Sequence, residues 1–190
     1  MRLLKIIIPC LLLGACFWGT SQNAKFYTQS ATATQTLSSD YVAFVGVNRV
    51  QLPRFMDRPQ ILTQVKDSSQ VNISESNRWV ELPSVLATRV LTEDLGILLP
   101  AAQIKMNQFQ GEGFDRVVSV EVIEMNAILG DKAELVAWYT VKNNSTKKIL
   151  TRQKFESTME IGKTYDDLAQ GYSTLLAQLS QEIASVLIKK

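Results

Sequence analysis

One short stretch of this sequence specifies a reaction. Leu13-Gly14-Ala15-Cys16 places a thiol directly after small residues, downstream of a positive start at Met1-Arg2-Leu3-Leu4-Lys5. Between the two lies an apolar run from Ile6 to Leu13, broken only by Pro9 and Cys10. Charge to hold the cytoplasmic side, a short apolar helix and small residues at the cut are the parts of a secretory signal. A cysteine after Leu-Gly-Ala is the pattern of a lipobox. There the thiol takes a diacylglycerol, the chain is cut before Cys16, and the new amine is acylated. A membrane-spanning helix is the competing reading, but Ile6 to Trp18 is only 13 residues, short of the roughly 20 needed to cross a bilayer. Several acyl chains suffice for a stable anchor where a single one is marginal. Phe17, not aspartate, follows the cysteine, and this favours the periplasmic face of the outer membrane.

Elsewhere the residue types that do chemistry are sparse. The histidine count is zero, which removes the commonest general base and metal ligand. Removal of Cys10 and acylation of Cys16 would leave the mature chain without a thiol, hence without a disulfide framework or cysteine nucleophile. A serine nucleophile would have only lysine or a carboxylate as base, and no Gly-x-Ser-x-Gly pattern occurs. Glu93-Asp94 and Asp166-Asp167 are adjacent acids near helix ends, and the second pair reads as favourable charge at a helix N-terminus. Gly111-Glu112-Gly113 is too short for a phosphate loop. Neither zinc spacing nor a calcium loop is present. The expected reading is a non-enzyme with no cofactor beyond the acyl anchor.

Charge narrows the partners. The formal net charge is +2, from 20 basic and 18 acidic residues. Arg2 and Lys5 fall in the signal, so the mature count is 20 − 2 = 18 basic against 18 acidic. Without a basic stripe, nucleic acid is not an expected partner.

The elements come next. Residues 16–40, rich in Ser, Thr, Gln and Ala, read as a flexible lipid-anchored tether, with Lys25-Phe26-Tyr27-Thr28 as a short strand within it. About twenty such residues reach on the order of 25 Å. The folded domain is expected over 41–190. Tyr41 to Val47 is a near-continuous apolar run, as in a strand buried on both faces. Ile61–Lys66 and Gln70–Ile73 predict a hairpin across Asp67-Ser68-Ser69. A helix is expected from about Pro83 to Leu95, with proline at its first position and Gly96 and Pro100 as stop signals. Three strands follow: Val118–Val122 alternating, Leu135–Lys142 apolar on both faces, and Ile149–Met159, with a turn at Asn143-Asn144-Ser145-Thr146. An amphipathic helix from about Asp166 to Ile188 closes the chain, its apolar stripe running from Leu168 through Tyr172, Leu176 and Leu179 to Leu187. The strand–helix–strand passage from Tyr41 to Val117 allows one parallel pair. The fold class is therefore α+β: one domain, a mixed, mainly antiparallel sheet, and two principal helices packed on it. Trp79 and Trp138 read as core or edge-of-core aromatics.

In order, these residues resemble the ABC-type transport auxiliary lipoproteins, a family that includes the lipoprotein of the paraquat-inducible MCE transport system. The resemblance rests on Leu52-Pro53 followed by Phe55-Met56-Asp57-Arg58-Pro59-Gln60-Ile61, then on Arg78-Trp79 before a helix ending at Leu99-Pro100. Ala137-Trp138 on a central strand, and Leu179-Ser180 with Ile183-Ala184 on the last helix, complete it. The pattern spans Lys25 to Ile188; Glu81-Leu82-Pro83 departs from it by placing a proline at the helix start. The resemblance implies a non-catalytic accessory role in lipid transport across the periplasm, docking to an MCE-domain protein from the outer membrane. It leaves the lipid, the direction, the permease type and self-association open. Pro53, Phe55, Asp57, Arg58 and Pro59 then have two readings: a rigid connector under the sheet, or part of a partner-binding surface. Two other roles stand beside the transport reading. One is an envelope scaffold or activator for a cell-wall machine; the other is a periplasmic lipid-binding module, which would need a deep apolar cavity.

Overall fold

The computed structural model describes residues 23–108 and 113–189. Cys16, the signal and Gly111-Glu112 lie outside the described residues. Eight strands and two helices follow in the order β1 (Lys25–Tyr27), β2 (Phe44–Asn48), β3 (Gln60–Gln64), β4 (Val71–Trp79), α1 (Pro83–Leu98), β5 (Gln103–Asn107), β6 (Arg116–Ala127), β7 (Lys132–Asn143), β8 (Ile149–Glu160) and α2 (Tyr165–Lys189). The strands form two mixed sheets, ordered β1-β4-β3 and β5-β2-β6-β7-β8. The architecture is the expected α+β, with both principal helices packed against the larger sheet.

The long ladders β6–β7 and β7–β8 are antiparallel. The parallel pairings exceed the single one expected: β2 pairs in parallel with both β5 and β6, and β1 with the end of β4. Strand β5 had no clear signal, because Gln103-Ile104-Lys105-Met106-Asn107 has a mixed alternation and lies at an edge. Its backbone is recruited by the crossover through α1, which returns the chain beside β2.

One face of the larger sheet carries Val118, Val120 and Val122 of β6, Leu135, Ala137, Tyr139 and Val141 of β7, and Phe155 of β8, all buried. The helices cover this face. Leu86, Val90, Leu91 and Leu95 of α1 and Leu168, Leu175, Leu176, Leu179, Ile183 and Leu187 of α2 have no solvent exposure or at most 1 %. Helix α1 begins with Pro83 at its first turn, as expected, but runs through Gly96 to Leu98. Its stop is set by Leu99-Pro100; a glycine inside a helix costs only about 1 kcal/mol, which the buried Leu95, Leu98 and Leu99 around it offset. Helix α2 starts with a reciprocal cap: the Asp167 N–H donates to Thr164 Oγ1 at 3.1 Å and the Thr164 N–H to Asp167 Oδ2 at 2.9 Å. Thr164 hydrogen bonds hold the Asp167 carboxyl below its ordinary range.

The described part of the expected tether departs from its composition. Strand β1 pairs with β4, and Gln29 is fully buried. The N–H groups of Leu37 and Ser38 both donate to Leu98 O, at the end of α1. From Lys25 onward the chain is therefore laid on the domain by backbone hydrogen bonds. Polar composition reports weak burial of side chains; it does not report where backbone groups find partners.

Candidate functional site

Three regions of the surface and near-surface hold the residues that stand out. The first is the loop after β2. Asp57 reaches across it to the start of α1, accepting the Ser84 N–H on Oδ1 at 3.0 Å and the Ser84 hydroxyl on Oδ2 at 2.9 Å. Leu82, at the N-cap, offers no side-chain bond, so Asp57 supplies from a distance the acceptor and negative charge that a helix N-terminus favours. Arg49 donates to Ser84 Oγ at 2.7 Å and lies 3.7 Å from Asp57. Thr88 Oγ1 accepts the Val50 N–H. Pro53 O accepts the Met56 and Asp57 N–H groups, and Pro59 O accepts the Trp79 N–H at 2.7 Å. Arg58 Nε donates to Gln60. The geometry of Pro53, Asp57, Arg58 and Pro59 is thus that of a rigid connector bolting β2, β4 and α1 together. Phe55 stands apart, 55 % exposed. Beside the loop, Leu52, Phe55, Met56, Leu62, Val71 and Trp79 border an apolar cleft of about 40 Å³, far smaller than the several hundred Å³ of a small-molecule site.

The second region is a buried carboxylate that holds the N-terminal segment. Asp94 on α1 has no solvent exposure, and its Oδ1 accepts the N–H groups of Thr32 and Ala33, each at 2.9 Å. Ser180 of α2 donates to Oδ2 at 3.5 Å, and the Ser30 N–H donates to Ser173 Oγ. Burial pushes the Asp94 carboxyl up from its usual range, against the pull of those two backbone donors. The sequence shows Glu93-Asp94 as adjacent acids near a helix end, and the structure buries Asp94. A signal was available: Asp94 lies three and four residues from Leu91 and Val90, inside the apolar stripe.

The third region is the other face of the larger sheet, which no helix among the described residues covers. Its residues alternate with the core residues along β6, β7 and β8. Val136 is only 6 % exposed and Trp138 is half-buried. Arg152 stacks on the Trp138 ring, 5.1 Å from its centroid, and pairs with Glu121 at 3.7 Å. Lys154 pairs with Glu156 at 2.8 Å. Further along, Phe114 lies across β2, its ring 4.4 Å from that of Phe44. This close approach needs Gly46, where an added Cβ would sit 2.7 Å from the Phe114 ring. Lys105 stands over Phe44 at 5.5 Å. Trp79, by contrast, is a core residue, packed against Tyr172, whose hydroxyl donates to Met125 O. Burial raises the Tyr172 hydroxyl above its ordinary value.

For bond-making the arrangement offers little. One Ser-x-x-Lys spacing exists, Ser145 to Lys148, and it lies in the exposed turn between β7 and β8. Tyr139 lies within hydrogen-bond reach of Glu182 at 2.9 Å and of Gln153; burial first, then Glu182, pushes its hydroxyl upward. Among the described residues no three His, Cys, Asp or Glu side chains come together as a metal site would require. No helix among them is long and apolar enough to cross a membrane.

An α+β domain with helices packed on a mixed sheet is a fold shared with solved structures. An uncharacterized protein superposes with a TM-score of 0.71 at 15% identity, covering 86% of this chain and 98% of that one. The protein XCC0632 from Xanthomonas campestris, assigned to the family model DUF330, gives 0.68 at 13% identity, covering 85% and 93%. At these identities the likeness is of fold. No curated protein matches the sequence. The family model described as the ABC-type transport auxiliary lipoprotein component matches residues 27–184. The chain belongs to that family. The match starts within β1, in agreement with the folding of that segment onto the domain.

Proposed function

We propose that this chain is a non-catalytic accessory component of a lipid-transport system of the MCE type. Acyl chains on Cys16 hold it to the periplasmic face of the outer membrane, and its domain docks to an MCE-domain protein. The observation that carries this reading is the family match over residues 27–184, nearly the whole described body. The bare face of the larger sheet is the docking surface we assign. Val136 and Trp138 lie there without helix cover, with Arg152 beside the tryptophan, and Trp and Arg are the residues most enriched at interface hot spots. The connector geometry of Asp57, Arg58 and Pro59 favours a structural role for the loop and leaves Phe55 as its exposed apolar residue. The apolar cleft beside Phe55, about 40 Å³, is too small to hold a lipid.

Cross-linking in intact cells, isolation of the acylated protein and mass spectrometry of its partners tests the proposal. Recovery of an MCE-domain protein is the expected result. Recovery of cell-wall enzymes with no MCE-domain protein would overturn it and favour the scaffold role.

A further inference from the structure

The fixed N-terminal segment has a consequence for orientation. Cys16 and Lys25 are nine residues apart, a span of at most about 30 Å. From Lys25 onward the chain is held by the pairing of β1 with β4 and by Asp94. That limit is no more than twice the radius of gyration of a body this size, about 15 Å. An anchor at Cys16 therefore keeps the β1 edge of the domain close to the bilayer and does not let the domain roam.

The outer face of the smaller sheet suits that position. Directly opposed residues in a ladder point to the same side. Phe26 is opposite Arg78, Arg78 opposite Gln60, Leu62 opposite Ile73, and Gln64 opposite Val71. A bulge between Gln60 and Leu62 brings Arg78 and Ile73 onto one side despite their odd spacing. Val80, two residues beyond Arg78, continues it. Phe26 is 63 % exposed, Val80 51 %, Val71 46 % and Ile73 45 %. Four large apolar side chains on one small sheet, with Arg78 among them, match the mix of apolar and cationic groups that seats a protein surface at the headgroup boundary. Phe17 and Trp18, next to the anchor in sequence, are residue types that favour the same boundary.

We infer that the Phe26–Ile73 face of the smaller sheet rests on the phospholipid bilayer, an orientation that rests on the acylation of Cys16 proposed above. The β1 edge is then membrane-proximal. Ile149, paired with Lys142 at the far end of β7 from Ala133, points away from the bilayer.

The mature chain would have no free thiol, so single cysteines serve as unique label sites. Phe26→Cys, Ile73→Cys and Ile149→Cys, each at an exposed position, are made in the full chain, and the acylated products carry a nitroxide. They are reconstituted into phosphatidylethanolamine–phosphatidylglycerol vesicles, and collision with a water-soluble nickel chelate is compared with collision with oxygen. The expected result is nickel access several-fold lower at 26 and 73 than at 149, with oxygen access higher. Equal nickel access at all three sites, in a protein whose intact mass shows the acyl chains, overturns the apposition and leaves the docking proposal standing. An intact mass without acyl chains overturns the anchor and the apposition together.

Discussion

The two faces of the five-stranded sheet share the same strands and differ in nearly everything else. On the helix side, β7 presents Ala133, Leu135, Ala137, Tyr139 and Val141, each at most 1 % exposed. On the other side it presents Glu134, Val136, Trp138, Thr140 and Lys142. Three of those are polar, yet Val136 is nearly as buried as the core. The first face is explained by folding, since its apolar area leaves water when the helices dock. The second is not explained that way. Arg152, stacked on the Trp138 ring, accounts for part of that residue's burial. An aromatic centred in paired charges is a poor way to stabilise a domain and a good way to recognise a partner.

The sharpest way to break this comparison is a pair of substitutions three residues apart. Leu135→Ala removes a fully buried side chain and should lower unfolding free energy by about 3 kcal/mol, read by denaturant titration. Trp138→Ala, at a partly exposed position outside the helix-covered core, should cost less than Leu135→Ala, while recovery of the cross-linked partner falls sharply. Equal destabilisation by both would mean that the bare face is ordinary core.

Next in size are the groups that hold the domain's own parts in place. Asp94→Ala leaves the Thr32 and Ala33 N–H groups without their acceptor and should cost about 2–3 kcal/mol, with loss of hydrogen-exchange protection at both amides. Asp94→Asn keeps an acceptor and removes the buried charge. Because the folded-state value of Asp94 is raised, its contribution is fully present below the ordinary carboxyl range and is lost as pH rises through the raised value. The Asn variant should therefore lose stability relative to the parent as pH falls toward 4 and be at its best at neutral pH, a slope measurable by urea melts at several pH values. Asp57→Ala should cost about 1–2 kcal/mol through the lost cap on α1. The smallest effect has the opposite sign. The Gln29 side-chain amide is buried and has no hydrogen-bond partner among the described residues, so Gln29→Met should raise stability by about 1 kcal/mol.

How far the sequence carried depends on which force shaped each region. The helices, the three long strands and the hairpin were legible because burial of an apolar face imposes a period on the residues. Helix α2, with Leu168 to Leu187 at helical spacing, is the clearest case. Strand β5 and the placement of residues 25–38 were not legible. Their residues are set by backbone partners far away in sequence, such as Leu98 O and the Asp94 carboxylate, and leave no local pattern. The Asp57-Arg58-Pro59 motif was visible as a motif, but its role was not. Only the distance from Asp57 to Ser84, 27 residues on, shows that the aspartate caps a helix. Trp138 was legible as a strand aromatic, and the face it occupies became clear only once α1 and α2 were seen to cover the other side.

The central claim is that the uncovered face of the larger sheet is where the partner docks. A photo-reactive amino acid in place of Thr140, beside Trp138 on that face, tests it most directly in intact cells, with a second placed at Ile188 on α2 as comparison. The account predicts a cross-link to an MCE-domain protein from position 140 that is lost in the Trp138→Ala background and absent from position 188. A cross-link to that protein from 188 with none from 140 would contradict it.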